Sequence, residues 1–334
     1  MIIDHPAPGS EPHLRRLWQN AFGDPDAFLD DFFRTAYSPA RCLCAWEDHR
    51  LLAAVYWFGC TCREQRIAYL YALAVEEDCR GRGIGTVLME KTHAVLASQG
   101  YAGVLLVPQQ TRLQALYTRL GYSRGPEIGQ WHCRAADQKV SLKPLDLPSY
   151  AAARRAYLPE GGVVQEGENL SFLQTQARFW AGEDFVLTAR LEENRLTGLE
   201  LLGNLQAAPR ILRALHCTEG TFRTLAPRQP ESVSAPVGNA VPGVPPSTSA
   251  PVGNAVPGVP PSTSAPVGNA VPGVPPSTSA PVGNAVPGVP PFTSVPVGNA
   301  VPGVPLSTSA PLAMFRPLGE APAFMPAYFA FPFD

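Results

Sequence analysis

The chain has 334 residues, a formal net charge of −2 and a sequence pI of about 6.3. The length predicts two domains, and the charge balance gives no electrostatic reason to expect a nucleic acid as partner. The first residues lack a basic segment followed by an apolar one, and the foldable parts contain no apolar run long enough to span a bilayer. We therefore expect neither a secretory signal nor a membrane partner.

Seven cysteines are scattered along the chain. An odd number in a chain of this length favours a reduced, cytoplasmic protein over a disulfide framework.

Two helices are predicted near the start of the chain. Glu11–Phe22 carries Leu14, Leu17 and Trp18 at helical spacing, and residues 27–37 follow with three phenylalanines on one side. Both patterns indicate amphipathic helices that pack against a sheet.

The following strands contain two Cys-x-Cys pairs, Cys42 with Cys44 and Cys60 with Cys62. If residues 41–46 and 51–59 form a hairpin, Trp46 faces Leu51. Cys42 then faces Val55, and Cys60 lies beyond the end of its partner strand. Because the pairs would not converge on one tetrahedral point, we expect small buried cysteines and no metal site.

A glycine-rich segment lies between an apolar run, residues 69–75, and a helical stretch, residues 86–98. Strand, glycine loop and helix start form an arrangement that binds phosphates, because the first amides of a helix are unpaired and lie at its positive end. No lysine follows the glycines, so the loop is not a Walker A motif, and Thr86 stands where a dinucleotide fingerprint has its third glycine. The pattern that fits is Arg/Gln-x-x-Gly-x-Gly/Ala over residues 80–85.

A second motif follows the strand-like residues 103–107. It reads Leu-Tyr-Thr-Arg-Leu-Gly-Tyr over residues 116–122 and places Tyr117 on a helix just before a Leu-Gly-Tyr turn. Together with the loop, at this spacing, it resembles the GNAT acetyltransferase superfamily over residues 1–135.

The resemblance implies an α/β GNAT fold, with a central mixed, mostly antiparallel sheet flanked by helices, and acetyl-CoA as co-substrate. Tyr117 would protonate the departing thiolate of coenzyme A. The cofactor would be held by one strand and the loop after it: Leu73, Ala74, Val75, Arg80, Gly81, Arg82, Gly83, Ile84, Gly85 and Thr86. The identity of the general base stays open, and the alternatives are Glu47, Tyr69, Tyr71 and a water relay. Alternatively, the loop is only a tight turn and Tyr117 only a packed aromatic.

A second unit is predicted over residues 139–231. It has a strand at 140–142, helices at Leu147–Tyr157 and 169–180, and a hairpin of 185–191 with 196–202. A helix at 208–216 and a strand at 221–225 complete it. The order loosely repeats the first unit without its Arg-x-x-Gly-x-Gly loop, so we interpret it as a smaller, degenerate α+β GNAT-like lobe.

Residues 232–309 differ sharply in composition. A 15-residue unit rich in proline and glycine occurs five times from residue 235, and its fifth copy has Leu306 in place of a proline. Because such a unit can complete neither a helix nor a sheet ladder, we expect a disordered insertion.

The chain becomes aromatic again near its end. We expect residues 312–318 to form a strand that pairs with 221–225, so that residues 310–334 join the second lobe. The repeat is then a long loop insertion, which costs little closure entropy.

The function predicted from these features is acetyl transfer from acetyl-CoA to an amine of a small molecule or protein, an N-acetyltransferase activity. Two alternatives remain. A non-catalytic acyl-CoA-binding or regulatory module would share the loop. An interaction protein would act through the proline-rich segment, which has only weak polyproline character.

Overall fold

The computed structural model describes residues 1–225, 306–311, 313–319 and 324–329. Apart from residues 306–309, the predicted disordered repeat lies outside these ranges, and so does the end of the aromatic tail.

The helices of the described residues follow the apolar spacing of the sequence. Glu11–Phe22 is a helix as predicted, and Leu14, Leu17 and Trp18 are its buried residues. The helix predicted over 169–180 is shorter, because residues 178–181 form a strand instead. The helices are α1 (Glu11–Phe22), α2 (Asp26–Thr35), α3 (Ile84–Ser98), α4 (Thr111–Arg119), α5 (Leu147–Tyr157), α6 (Glu168–Gln176) and α7 (Ala208–Ala214).

The strands fall into two sheets. The strand predicted over 140–142 is displaced to Lys143–Pro144, and the hairpin of 185–191 with 196–202 is confirmed by the pairing of Leu191 with Leu196. The strands are β1 (Ile2–Asp4), β2 (Cys42–Glu47), β3 (Arg50–Cys62), β4 (Gln65–Val75), β5 (Gly103–Leu106), β6 (Ser123–Arg124), β7 (Glu127–Arg134), β8 (Lys143–Pro144), β9 (Val164–Gln165), β10 (Arg178–Ala181), β11 (Phe185–Glu192), β12 (Arg195–Gly203), β13 (Glu219–Leu225), β14 (Leu306–Pro311) and β15 (Met314–Pro317).

The first sheet has the order β1-β2-β3-β4-β5-β15-β6, with β9 added to β3. Its pairs are antiparallel except β4 with β5. The second sheet has the order β14-β7-β13-β12-β11-β10-β8, and only β12 and β13 are parallel in it. The predicted mixed, mostly antiparallel sheet flanked by helices is confirmed.

The last strand, β15, does not lie where the sequence analysis placed it. The predicted pairing of residues 312–318 with 221–225 is wrong, because β13 has β12 on one side and β7 on the other. Instead, β15 lies between β5 and β6 of the first sheet. Gly103 explains this position, because any Cβ there would overlap the ring of Phe315. The lack of a side chain at Gly103 therefore leaves room for the ring of Phe315 beside β5.

The end of the repeat is also ordered. Residues 306–311 form β14 and pair with β7, with Leu306 opposite His132. The predicted end of the disordered segment, residue 309, is therefore too late, because β14 already begins at Leu306. Leu306 replaces the proline of the other copies and restores a backbone N–H, which a strand ladder can use.

The first sheet buries apolar side chains on both faces. On one face, α3 and α4 cover a cluster that includes Leu88, Val104 and Tyr117. On the other face, α1, α2 and α6 cover a cluster that includes Trp18 and Phe172. The candidate site lies on the face of α3 and α4.

The described part of the tail packs against the first sheet and against the segment that leads into β9. The ring of Phe329 lies 5.3 Å from that of Tyr69 in the first sheet. The carbonyl of Tyr328 accepts a 2.9 Å hydrogen bond from the amide of Val163, which precedes β9. The predicted return of the aromatic tail to the folded part thus involves the first sheet as well as residues 139–231.

The second lobe contains a buried ion pair. The guanidinium of Arg154 on α5 donates to both carboxylate oxygens of Glu200 on β12, at 2.7 and 2.9 Å. A third donor of Arg154 reaches the carbonyl of Val163 at 3.2 Å. With both charges paired in this way, their burial is tolerated.

The strands that carry Cys42, Cys44, Cys60 and Cys62 form the predicted hairpin, but the residue paired with Cys42 differs from the prediction. Trp46 pairs with Leu51, but Cys42 pairs with Tyr56 and not Val55, because the ladder shifts at Ala45 and Trp46. The Sγ atoms of Cys42 and Cys44 lie 3.8 Å apart. Among the described residues, no three His, Cys, Asp or Glu side chains converge as metal ligands would.

Candidate functional site

The glycine-rich loop connects β4 to α3 through a short turn, Glu77–Cys79. Gly81 and Gly83 have φ values of 77° and 79°, a conformation that residues with a Cβ adopt only at a cost. A Cβ at either position would meet no atom within 4 Å. Backbone conformation rather than crowding therefore requires these two glycines, and the space outside them is open.

The third glycine has another role. A Cβ at Gly85 would lie 3.4 Å from Cγ2 of Val75, so the start of α3 packs closely on the end of β4. Gly83 is the N-cap of α3 and provides no side-chain bond to the first amides. The amides that open α3 are left available to an anion at the positive end of the helix.

Two exposed arginines border this helix start. Nε of Arg80 donates to the carbonyl of Val75 at 3.2 Å. Nη2 of Arg82 lies 3.6 Å from a carboxylate oxygen of Glu47, the last residue of β2. An incoming phosphate would compete with Glu47 for Arg82.

The strand before the loop separates from its neighbour. The parallel ladder of β4 with β5 ends at the pair Leu70 and Leu106, although β4 continues to Val75. Residues 71–75 therefore present backbone groups that β5 does not use. An extended ligand can add to such an edge by strand-like hydrogen bonds.

A bulge marks the point of separation. Ala72 has a φ of 56°, and the pairing of β4 with β3 shifts between Ala54 and Tyr56. The bulge changes the direction of the residues after it. Leu73 and Val75 then pack with the α3–α4 cluster, whereas Ala74 faces the opposite one.

Tyr117 lies on α4 with 8% of its surface exposed. Burial raises the pKa of its hydroxyl from 10.0 to about 12, so the group keeps its proton at neutral pH. It belongs to the same apolar cluster as Ile84, the first residue of α3, and as Leu73 and Val75. The helix start, the end of β4 and Tyr117 thus contribute to one apolar cluster on the same face of the first sheet.

The Leu-Gly-Tyr turn after Tyr117 is a Schellman cap. The amide of Gly121 donates to the carbonyl of Thr118 and that of Tyr122 to the carbonyl of Tyr117, both at 3.0 Å. Gly121 has the required positive φ, 85°. The rings of Tyr117 and Tyr122 are 5.8 Å apart and meet edge to face. The turn thereby fixes where Tyr117 lies on the last turn of α4.

The three side chains considered as general base differ in their surroundings. Glu47 lies beside Arg82 of the loop. Tyr69 is 2% exposed, and its ring packs against those of Phe58 and Phe329. Tyr71 is partly exposed and directly precedes the bulge. The ring of Tyr71 packs against those of Trp18 and Phe58 in the cluster on the other face of the sheet.

The described residues of the second lobe include no equivalent of the glycine loop. At the corresponding place, Oδ1 of Asn204 accepts a 3.0 Å hydrogen bond from the amide of Gln206, and its Nδ2 donates to Asp184. The following helix, α7, has only seven residues. The side chain of Asn204 therefore accepts the hydrogen bond that a backbone amide would otherwise offer to an anion.

The described helices include none with both the length and the apolar character required to cross a lipid bilayer.

The comparisons with known proteins agree with this geometry. The model of the Acetyltransferase (GNAT) family matches residues 11–122. No curated protein matches the sequence significantly. A GCN5-related N-acetyltransferase from Kribbella flavida is 18% identical, with a TM-score of 0.54, and the match covers 69% of this chain and 65% of that one.

Two further solved structures are similar to the same extent. Eis1 from Mycobacterium abscessus is 14% identical with a TM-score of 0.51, and a GCN5-related N-acetyltransferase from Anabaena variabilis is 14% identical with a TM-score of 0.53. Each match covers 66% of this chain and 65% of the other, so the chain matches slightly less than two thirds of these relatives. At this level of identity the likeness concerns the fold, and the predicted fold is confirmed.

Proposed function

Because residues 11–122 match the model of the Acetyltransferase (GNAT) family, we propose that the chain belongs to this family and transfers an acetyl group from acetyl-CoA to an amine. The observation that carries the proposal is the meeting of three elements in one cluster. These are the open start of α3, the free edge of β4 and the buried hydroxyl of Tyr117.

The loop and strand residues divide the binding of acetyl-CoA between them. The pyrophosphate lies at the start of α3, against the amides of residues 82–86 and the side chains of Arg80 and Arg82. The pantetheine arm extends along β4 and uses the backbone groups of Leu73 and Val75. Ala74 spaces these two residues and turns its side chain to the other face of the sheet. The thioester then lies between β4 and α4.

Acetyl-CoA supplies the activated acyl group, and the chain handles the protons. In the transfer, the amine nitrogen forms a bond to the acyl carbon while the bond from that carbon to sulfur breaks. Tyr117 gives its hydroxyl proton to the departing sulfur, and the proton lost by the amine passes to water, from which the tyrosine regains its proton. Burial raises the pKa of Tyr117 to about 12, which keeps the proton on the hydroxyl until the thiolate forms, and the same desolvation raises the proton affinity of a thiolate beside it.

The division of labour between the lobes is part of the proposal. The lobe built on the first sheet, which includes β15, carries catalysis, and the lobe built on the second sheet, which includes β7 and β14, has no cofactor of its own. The two lobes exchange strands, because β7 from the first half of the chain lies in the second sheet and β15 from its end lies in the first. The free cysteines support the cytoplasm as the site of action.

A thiol-release assay tests the proposal. The full chain is mixed with acetyl-CoA and a panel of small amines and peptides, and free coenzyme A and acetylated amine are both measured. We expect equal amounts of the two products with at least one acceptor. Binding of acetyl-CoA without acetylated product from any acceptor would instead indicate the non-catalytic acyl-CoA-binding module.

A further inference from the structure

Arg316 lies on β15, the strand inserted between β5 and β6, and is partly buried. Its Nη1 donates two hydrogen bonds. One reaches Nδ1 of His93 at 2.6 Å, and the other reaches the carbonyl of Leu120 at 2.8 Å. One side chain therefore joins the C-terminal strand to α3 and to the end of α4.

The bond to Leu120 satisfies a helix terminus. Leu120 is the C-cap of α4, and the last carbonyls of a helix have no partner within it. A cation at this end is also favoured by the helix dipole. The guanidinium lies directly over the next residue, since a Cβ at Gly121 would be 3.5 Å from Nε of Arg316.

The bond to His93 fixes the state of the imidazole. An arginine can only donate, so Nδ1 of His93 accepts and the proton is on Nε2. Nε2 then donates to the hydroxyl of Tyr122 at 2.8 Å. Burial and the Arg316 cation lower the pKa of His93 to about 4, which keeps this arrangement at neutral pH.

Both hydrogen-bond paths from Arg316, the direct one to Leu120 and the one through His93 to Tyr122, end on the turn that follows Tyr117. Leu120 and Tyr122 flank Gly121, and the Schellman bond connects Tyr122 to the carbonyl of Tyr117. We propose that Arg316 is a positioning residue for Tyr117 and acts through the turn that ends α4. The inference rests on the proposed function, since it assigns a role through Tyr117, and it makes the segment after the repeat a part of the catalytic lobe.

The activity test combines Arg316→Met with Tyr117→Phe. We expect Arg316→Met to lower kcat on the order of tenfold, through misplacement of the hydroxyl, and to change the Kd for acetyl-CoA less than about twofold. In the Tyr117→Phe background the same change should alter kcat by less than about twofold, because the group to be positioned is gone. Arg124→Met, on the exposed part of the neighbouring strand β6, is the matched control and should behave like the wild type.

Equal losses of kcat in both backgrounds would overturn the proposal, because Arg316 would then act on the fold in general. A loss caused equally by Arg124→Met would do the same. If Arg316→Met does not fold, Arg316→Lys replaces it. A lysine keeps the charge without the planar fork, and the same loss in kcat, confined to the background with Tyr117, is expected.

A second readout does not depend on acetyl transfer. NMR titration of His93 in the full chain should give a pKa near 4, and Arg316→Met should raise this pKa part of the way toward 6.5, because the cation is lost while burial remains. The groups that face this imidazole are Arg316 from β15 and Tyr122 from the turn after α4. An unchanged titration would refute the contact itself, whereas a raised pKa in a chain without acyl transfer would refute only the proposed function.

Discussion

The amide of Tyr122 donates a 3.0 Å hydrogen bond to the carbonyl of Tyr117, and the two rings meet edge to face 5.8 Å apart. This pair gives a physical reason for the motif in which a tyrosine precedes Leu-Gly-Tyr. The glycine permits the left-handed turn, and the second tyrosine closes the cap on the first.

The first prediction concerns that glycine. Gly121→Ala should destabilise the chain by about 1 kcal/mol, because alanine is strained at a φ of 85°. It should also lower kcat, because the turn holds Tyr117. Gly23→Ala is the matched control, since Gly23 ends α1 with a φ of 76°. Its melting temperature should fall similarly while kcat stays constant. Equal kcat values for the two variants would show that the cap does not position Tyr117.

The second prediction concerns the hydroxyl of Tyr117. Tyr117→Phe should lower kcat on the order of 100-fold, because a general acid acts in the transition state. The acetyl-CoA affinity should stay within about twofold by calorimetry, since the ring and its contact with Tyr122 remain. A kcat equal to that of the wild type would return Tyr117 to a packing role.

The third prediction concerns the carboxylate beside the loop. Glu47→Gln should bind acetyl-CoA about two- to threefold more tightly. In this variant Arg82 does not have to give up its exposed ion pair with Glu47 before it binds the pyrophosphate. Asp78→Asn is the matched control. Asp78 lies near the loop but pairs with Arg50, so its variant reports the general effect of removing a negative charge. Identical gains in affinity for both variants would argue against a direct competition.

The fourth prediction concerns stability in acid. The pKa of His93 is about 4 in the folded chain, below its ordinary 6.5, because of burial and the Arg316 cation. Between pH 4 and pH 6.5 the unfolded chain therefore binds more protons than the folded chain, so the free energy of unfolding falls as the pH drops from 6.5 to 4. The loss attributable to His93 is up to about 3 kcal/mol. In urea titrations, His93→Gln should lose that much less stability between pH 7 and pH 4 than the wild type does. Parallel curves would contradict the assignment.

Local features of the site could be predicted from the sequence. The glycines at 81, 83 and 85 and the helical spacing around Tyr117 are signals within a few residues of each other, and the bounds of α1 follow from its apolar spacing. Such signals depend on backbone conformation and periodicity, which short segments determine for themselves.

Relationships between distant segments could not be predicted. The place of β15 depends on a fit between Phe315 and Gly103, and the partners of β7 depend on which strand edges remain free. Neither follows from a local pattern. The bulge at Ala72 also gave no signal, because alanine is not a residue that favours a positive φ. Arg316 and His93 were missed for the same reason, since they meet across 223 positions of the chain.

The central claim is that acetyl-CoA binds at the start of α3, and one comparison of two glycine variants tests it most directly. Gly83 and Gly100 have nearly the same φ, 79° and 78°, and a Cβ at either would meet nothing within 4 Å. Gly83→Asp and Gly100→Asp should therefore cost similar stability. Only Gly83→Asp places a carboxylate against the pyrophosphate, so calorimetry should find acetyl-CoA binding abolished in that variant and wild-type affinity in Gly100→Asp. Undiminished affinity in Gly83→Asp would contradict the account.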